Sequence, residues 1–139
     1  MERVVFDSDL YIDWINAGSH EELLLDRSFV RYMSTVVLLE LQAGALELAA
    51  AKAVADLHRT FTRTDRLLSP SPETFWRAGS ALRVLHRRHG LDLRTRFRLV
   101  NDCLIALSSR QVGATVITRN ARDFRLIQRV VPFALVIAS

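Results

Sequence analysis

The run NDCLIALSSRQVGATVITRNARDF, residues 101–124, decides the fold. Its first part, from Asp102 through Leu107, is apolar nearly all round, which marks a helix buried on most sides. That helix is predicted from about Phe97 to Gln111, with Gly113 ending it. Ala114 to Thr118 is a short strand rich in β-branched residues. A further helix is expected from Ala121 to Val130. Helix, strand and helix in so few residues read as one unit of an α/β layered structure.

The same alternation continues outward in both directions. Phe133 to Ile137 reads as a last strand. At the other end, Arg3 to Phe6 is a β-branched run suited to a buried strand. Asp7-Ser8-Asp9 then offers side-chain oxygens to free backbone donors, a helix-start signal. Leu10, Ile12 and Ile15 follow until Ala17-Gly18 stops the helix, and Ser19 with Glu21 and Glu22 opens a short second one. Phe29 to Met33 is a second strand. Ser34-Thr35 caps a long helix expected to run through Glu40 and the alanine-rich stretch toward Leu57. Ser71-Pro72-Glu73 opens another, since proline at the first helical position lacks only a donor that has no partner there. It reaches Arg88, and His89-Gly90 ends it. Strands alternating with helices imply parallel pairing, right-handed connections and helices over both sheet faces. In such sheets function gathers beyond the carboxyl ends of the strands.

No repeat, linker or low-complexity run divides the chain, so residues 1–139 are expected to form a single domain. Half the residues are hydrophobic, enough for a core without staples. A single cysteine, Cys103, excludes an internal disulfide and suits a reducing compartment. The opening Met-Glu-Arg-Val-Val-Phe-Asp lacks the long apolar stretch of a secretory signal, and no apolar run approaches a membrane span. A cytoplasmic protein with no membrane partner is the expectation. The net charge is +4, and Lys52 is the only lysine. Arginine presents a planar fork that matches phosphate geometry, so the composition permits a nucleic-acid partner. Coding bias toward arginine accounts for it equally well.

Four carboxylates stand in apolar surroundings at strand ends or helix starts. Asp7 ends the first strand. Glu40 follows Val36-Val37-Leu38-Leu39, where a solvated acid is out of place. Asp102 opens the apolar segment of the buried helix, and Asp123 lies just past the Thr115–Thr118 strand. Singly, each has a bland account: Asp7 and Asp102 as helix caps, Asp123 as a favourable charge at a helix N-terminus. Glu40 resists such an account best. Together they converge, because the topology brings all four to one edge of the sheet. Two unit charges about 5 Å apart repel by roughly 3 kcal/mol at an effective dielectric near 20. Oxygen ligands of this kind suit Mg²⁺ or Mn²⁺, and an ion so held activates water for displacement at phosphorus.

These segments, in this order, resemble the PIN-domain nucleases, and most of all the VapC-type toxins of bacterial toxin–antitoxin pairs. The resemblance rests on Val4-Val5-Phe6-Asp7-Ser8-Asp9, Leu38-Leu39-Glu40-Leu41, Asn101-Asp102-Cys103-Leu104-Ile105-Ala106 and Thr118-Arg119-Asn120-Ala121-Arg122-Asp123-Phe124. It covers nearly the whole chain, and the closing Thr-Arg-Asn-x-x-Asp-Phe segment is its most specific part. It implies a three-layer α/β/α sandwich with a mostly parallel five-stranded sheet. It also implies Mg²⁺- or Mn²⁺-dependent endoribonuclease activity, often on structured RNAs such as transfer RNA. Asp7, Glu40, Asp102 and Asp123 fall on the family's acidic catalytic and metal positions, and Thr118 and Asn120 where small polar residues support them. Family members commonly form homodimers and are neutralised by a cognate antitoxin protein.

Two positions depart from the family pattern. Asp9 replaces a small polar or amide residue and adds a fifth acid near the site; the cap of the first helix is its expected role, and support of a metal ligand is the alternative. Leu38 replaces a hydroxyl residue that often precedes the family's glutamate by two positions.

Other features carry less. The stretch from Arg83 to Arg98 is arginine-rich, with Arg87 and Arg88 as candidate RNA or antitoxin contacts; a solvated helix face is the alternative. His86 and His89 share a helical face but lack further zinc ligands. Cys103 reads as packing, and Trp14 and Trp76 as core or dimer surface. A stand-alone RNA-processing nuclease of the same fold remains an alternative function. So does a catalytically silent RNA- or protein-binding module, against which the four retained acids argue.

Overall fold

The computed structural model describes all residues, 1–139. Five strands form one sheet: β1 (Glu2–Phe6), β2 (Phe29–Ser34), β3 (Leu67–Leu68), β4 (Thr115–Thr118) and β5 (Leu135–Ile137). Seven helices connect them: α1 (Ser8–Ala17), α2 (Glu21–Leu24), α3 (Thr35–Gly44), α4 (Leu48–Arg63), α5 (Pro72–His89), α6 (Phe97–Arg110) and α7 (Ala121–Gln128). The strand order is β3-β2-β1-β4-β5, and all four pairings are parallel. β1 sits at the centre, with Val5 opposite Tyr32 on one side and Val116 on the other.

A central strand of a parallel sheet is covered on both faces, which is why Val4, Val5 and Phe6 are all apolar and all buried. With right-handed crossovers, the leftward path through β1, β2 and β3 puts α1 to α4 on one face. The rightward path through β4 and β5 puts α5 to α7 on the other. Contacts agree, since α1, α3 and α4 pack together, as do α5 with α6 and α6 with α7. The chain is the three-layer α/β/α sandwich the sequence suggested. No helix is long and apolar enough to cross a membrane.

Two expectations need correction. The single long helix from Ser34-Thr35 toward Leu57 is two helices, broken over Ala45–Glu47. Gly44 is a weak helix former, and the Leu46 N–H turns back to the Gly44 carbonyl. The break lets each helix aim its own apolar residues inward, Val36, Val37 and Leu41 from α3, and Val54 and Phe61 from α4. The other correction is β3, which was not anticipated from its two leucines. Its Leu67–Leu68 pair extends the sheet beside Met33 and Ser34.

Candidate active site at the carboxyl edge of the sheet

The carboxyl ends of β1 and β4 lie side by side, because Phe6 pairs with Ile117. The residues that follow them, Asp7 and Thr118, therefore meet. Asp7 is the N-cap of α1, and one carboxylate oxygen accepts from the Ser8 N–H at 2.8 Å. The other accepts from the Thr118 hydroxyl at 2.7 Å. Both residues are buried. The Thr118 hydroxyl also accepts from the Asn120 N–H at 2.9 Å, which fixes the turn into α7.

Asn120 caps α7 by accepting from the Asp123 N–H. Its amide nitrogen donates to Asp102 Oδ2 at 3.4 Å and to Asp123 Oδ2 at 3.2 Å, joining α6 to α7. Asp102 caps nothing: it lies in the second turn of α6, buried among apolar neighbours. Glu40 arrives on α3, whose start is fixed by Ser34 Oγ accepting from the Val36 and Val37 N–H groups. Its Oε1 is buried without a hydrogen-bond partner.

Asp9 is not the cap of α1. That position belongs to Asp7, and Asp9 lies in the first turn. Its Oδ2 accepts from the Arg119 N–H at 3.0 Å and from the Thr118 hydroxyl at 3.4 Å. Its Oδ1 is buried and unpartnered. The Arg119 guanidinium in turn holds Asp13 at 2.6 Å, so α1 is clamped to the β4–α7 corner. The two-residue spacing from Asp7 carried Asp9 past the cap and into the site.

The five acids and Asn120 border one cleft of ≈ 550 Å³, lined by Asp7, Ser8, Asp9, Glu40, Arg96, Arg98, Asp102, Asn120, Arg122 and Asp123. No lining residue is hydrophobic. Arg96 and Arg98 belong to the basic stretch that the sequence offered as a phosphate-tracking surface, whereas nothing in the sequence reading pointed to Arg122. Arg96 Nη2 pairs with Asp123 Oδ1 at 2.9 Å. Arg87 and Arg88 lie exposed at the end of α5 and are not part of the cleft lining.

Crowding shows in the acidities. Burial, then the charge of Asp9, pushes the Asp7 carboxyl up to about 7, against the Thr118 and Ser8 hydrogen bonds that lower it. Burial, then Asp7, Glu40 and Asp123, pushes Asp102 up to about 8, with Arg98 opposing. Burial is also the main cause that raises Asp9 and Glu40. No three acidic, histidine or cysteine side chains form a ready-made cage for a metal. The donor set nevertheless fits Mg²⁺ or Mn²⁺, since such ions keep several waters and need only one or two direct carboxylates. The buried, unpartnered oxygens of Glu40 and Asp9 point the same way, because a buried acceptor with no partner is costly.

The remaining sequence candidates resolve simply. His86 Nδ1 lies 2.6 Å from the Leu91 carbonyl, and His89 is exposed. Cys103 is fully buried, and burial followed by Asp102 pushes its thiol up to about 12, so it is packing. Trp14 packs half-buried against the core, whereas Trp76 is 77% exposed and no part of it.

Several solved structures share this fold over nearly their full lengths. VapBC2 from Rickettsia felis, bound to a promoter DNA fragment, matches at TM-score 0.69 and 22% identity, covering 99% of each chain. DNA-bound VapBC from Salmonella typhimurium matches at 0.69 and 21% identity, covering 99% of this chain and 98% of that one. VapBC-5 from Mycobacterium tuberculosis, a member of the VapBC family of toxin–antitoxin systems, matches at 0.63 and 19% identity, covering 99% and 100%. No curated protein matches the sequence. The PIN domain family model matches residues 4–130, nearly the whole chain and every acid of the cleft, and the chain belongs to the PIN domain family.

Proposed function

We propose that the chain is a divalent-metal-dependent endoribonuclease that acts as the toxin of a type II toxin–antitoxin pair. The observation that carries this reading is the cleft itself: five carboxylates crowded at the sheet's carboxyl edge, two of them driven toward neutral acidities, beside three arginines. A binding surface for RNA gains nothing from buried negative charge facing phosphates. A hydrolytic metal site requires it.

In this reading Asp7, Glu40 and Asp102 would hold Mg²⁺ or Mn²⁺, while Asp123, the fourth acid on the resemblance's metal positions, stands beside them paired with Arg96. Such an ion would supply an activated water and charge stabilisation for displacement at phosphorus. Thr118 and Asn120 orient the acids: the Thr118 hydroxyl fixes Asp7, and the Asn120 amide spaces Asp102 from Asp123. Arg98 and Arg122, exposed at the cleft, draw the RNA backbone toward it, since guanidinium groups pair with phosphate in two-pronged fashion. Arg87 and Arg88 extend the same attraction along the end of α5.

The toxin assignment and the antitoxin partner draw on the toxin–antitoxin complexes that share this fold, and the RNA substrate and the homodimer on the sequence resemblance. An apolar groove lined by Tyr11, Trp14, Leu24, Leu25, Leu57 and Phe61 gives an antitoxin a surface to bury. The test is induced expression of wild type and Asp7→Asn in cells without antitoxin, with RNA 5′ ends sequenced. Wild type should arrest growth and create new 5′ ends at defined RNA positions, and the variant should do neither. Identical 5′ ends with both proteins would overturn the proposal.

A further inference from the structure

We propose that Arg96 stands in for a second divalent ion, so that this cleft binds a single metal. The inference rests on the metal-dependent reading above and adds to it the number of ions and the reason for that number. Two-metal nucleases place their ions about 3.5–4 Å apart, clamping the attacking and the leaving oxygens together. Five carboxylates in one cleft would offer enough ligands for such a pair. Their partners divide them.

Asp123 is already satisfied. Its Oδ1 accepts from Arg96 Nη2 at 2.9 Å and its Oδ2 from Asn120 Nδ2 at 3.2 Å. The ion pair is sheltered, with the side chains of Arg96 and Asp123 31% and 19% exposed. Arg96 occupies the residue just before α6, where its side chain makes no cap and is free to reach across to α7. A guanidinium does not lose its proton in a protein, so an ion claiming Asp123 must displace a permanent cation. The other side of the cleft is the reverse. Glu40 Oε1 and Asp9 Oδ1 are buried with no partner, and Asp102 has a hydrogen bond to only one of its oxygens.

The charges agree with the geometry. The cleft lining holds five carboxylates and three guanidiniums, a deficit of two positive charges when all are ionised. One divalent ion closes that deficit, and a second would leave a doubly positive, partly buried cleft. Arg96 lies in the cleft lining, so its guanidinium would supply there the fixed positive charge that a second ion would bring.

The test is Mn²⁺ stoichiometry of the full chain, by calorimetry and by electron paramagnetic resonance. Wild type, Arg96→Lys and Arg96→Gln are compared, with melting curves to confirm folding. Wild type and Arg96→Lys should bind one Mn²⁺ and give the uncoupled six-line signal. Arg96→Gln should bind a second ion and show the signal loss of two spin-coupled Mn²⁺ ions. Two ions in wild type, or one in folded Arg96→Gln, overturns the inference. No ion in wild type overturns the metal-dependent reading itself, and this inference with it. Should Arg96→Gln not fold, Asp123→Asn decides, because it removes the partner of Arg96 and not a ligand of the retained ion. It should keep one Mn²⁺ with affinity within about tenfold of wild type, and loss of that ion overturns the inference.

Discussion

Asp102→Asn should make the metal-free protein more stable in mild alkali while removing its response to metal. Asp102 is 6% exposed, and burial together with Asp7, Glu40 and Asp123 pushes its carboxyl up to about 8. In the unfolded chain it titrates near 4. A carboxyl whose folded pKa lies above its unfolded one favours the fold only while it keeps its proton. That contribution is complete below about pH 4 and is lost as pH rises to about 8. Within this window one such group removes about 1.4 kcal/mol of stability per pH unit. Between pH 6 and pH 8 the ideal loss is about 2.3 kcal/mol, because the slope halves at the folded pKa, and water entering an open cleft reduces it to about 1–2 kcal/mol. For a chain of this size that is about 3–8 °C in Tm. Asp7, raised to about 7, contributes a further loss below that pH. The assay is thermal melting of both proteins in EDTA at pH 6 and pH 8, then with Mn²⁺. Wild type should fall across the two pH values and recover by about 2.7 kcal/mol at a hundred times the metal's dissociation constant. The variant should fall by less than half as much and not recover. A variant that falls as steeply as wild type, or gains as much from Mn²⁺, refutes the reasoning.

Thr118→Val removes the hydroxyl that donates to Asp7 and accepts from the Asn120 N–H, leaving buried groups unpaired. It should cost about 1–3 kcal/mol by denaturant melting and weaken Mn²⁺ binding in calorimetry. Asp9→Asn should keep cleavage within about tenfold of wild type in a gel assay, since an amide oxygen still accepts from the Arg119 N–H and the Thr118 hydroxyl. Replacing Arg98 and Arg122 together with alanine should weaken RNA binding and lower the salt slope of affinity by about 2 in a filter assay. Arg87 and Arg88, outside the cleft lining, should give a smaller change in the same assay.

Four of the five strands were legible because each is a run with β-branched or aromatic residues between turn signals. β3 was not, since two leucines carry no period and its partner, the end of β2, lies more than thirty residues away. The break between α3 and α4 was hidden because the alanines and leucines on both sides favour helix equally; packing of two separate apolar faces decided it. Glu40 stood out because a carboxyl group in an apolar run has no local explanation, whereas Asp102 stood out only through the convergence of the four acids, since a helix cap also accounted for it. Asp9 was misread because capping signals do not separate a cap from a residue two positions on. Arg96 appeared only as one arginine in a basic stretch. Its role depends on where α6 begins relative to α7, a tertiary fact that no local pattern encodes.

The central claim is that these acids form a metal-dependent nuclease site, and cleavage of RNA by purified protein tests it most directly. Wild type, Asp7→Asn and Asp102→Asn, each shown by its melting curve to be folded, are incubated with a total-RNA pool in Mn²⁺ and in EDTA. New 5′ ends should appear with wild type in Mn²⁺ alone. Undiminished cleavage by folded Asp102→Asn, or by wild type in EDTA, would contradict it.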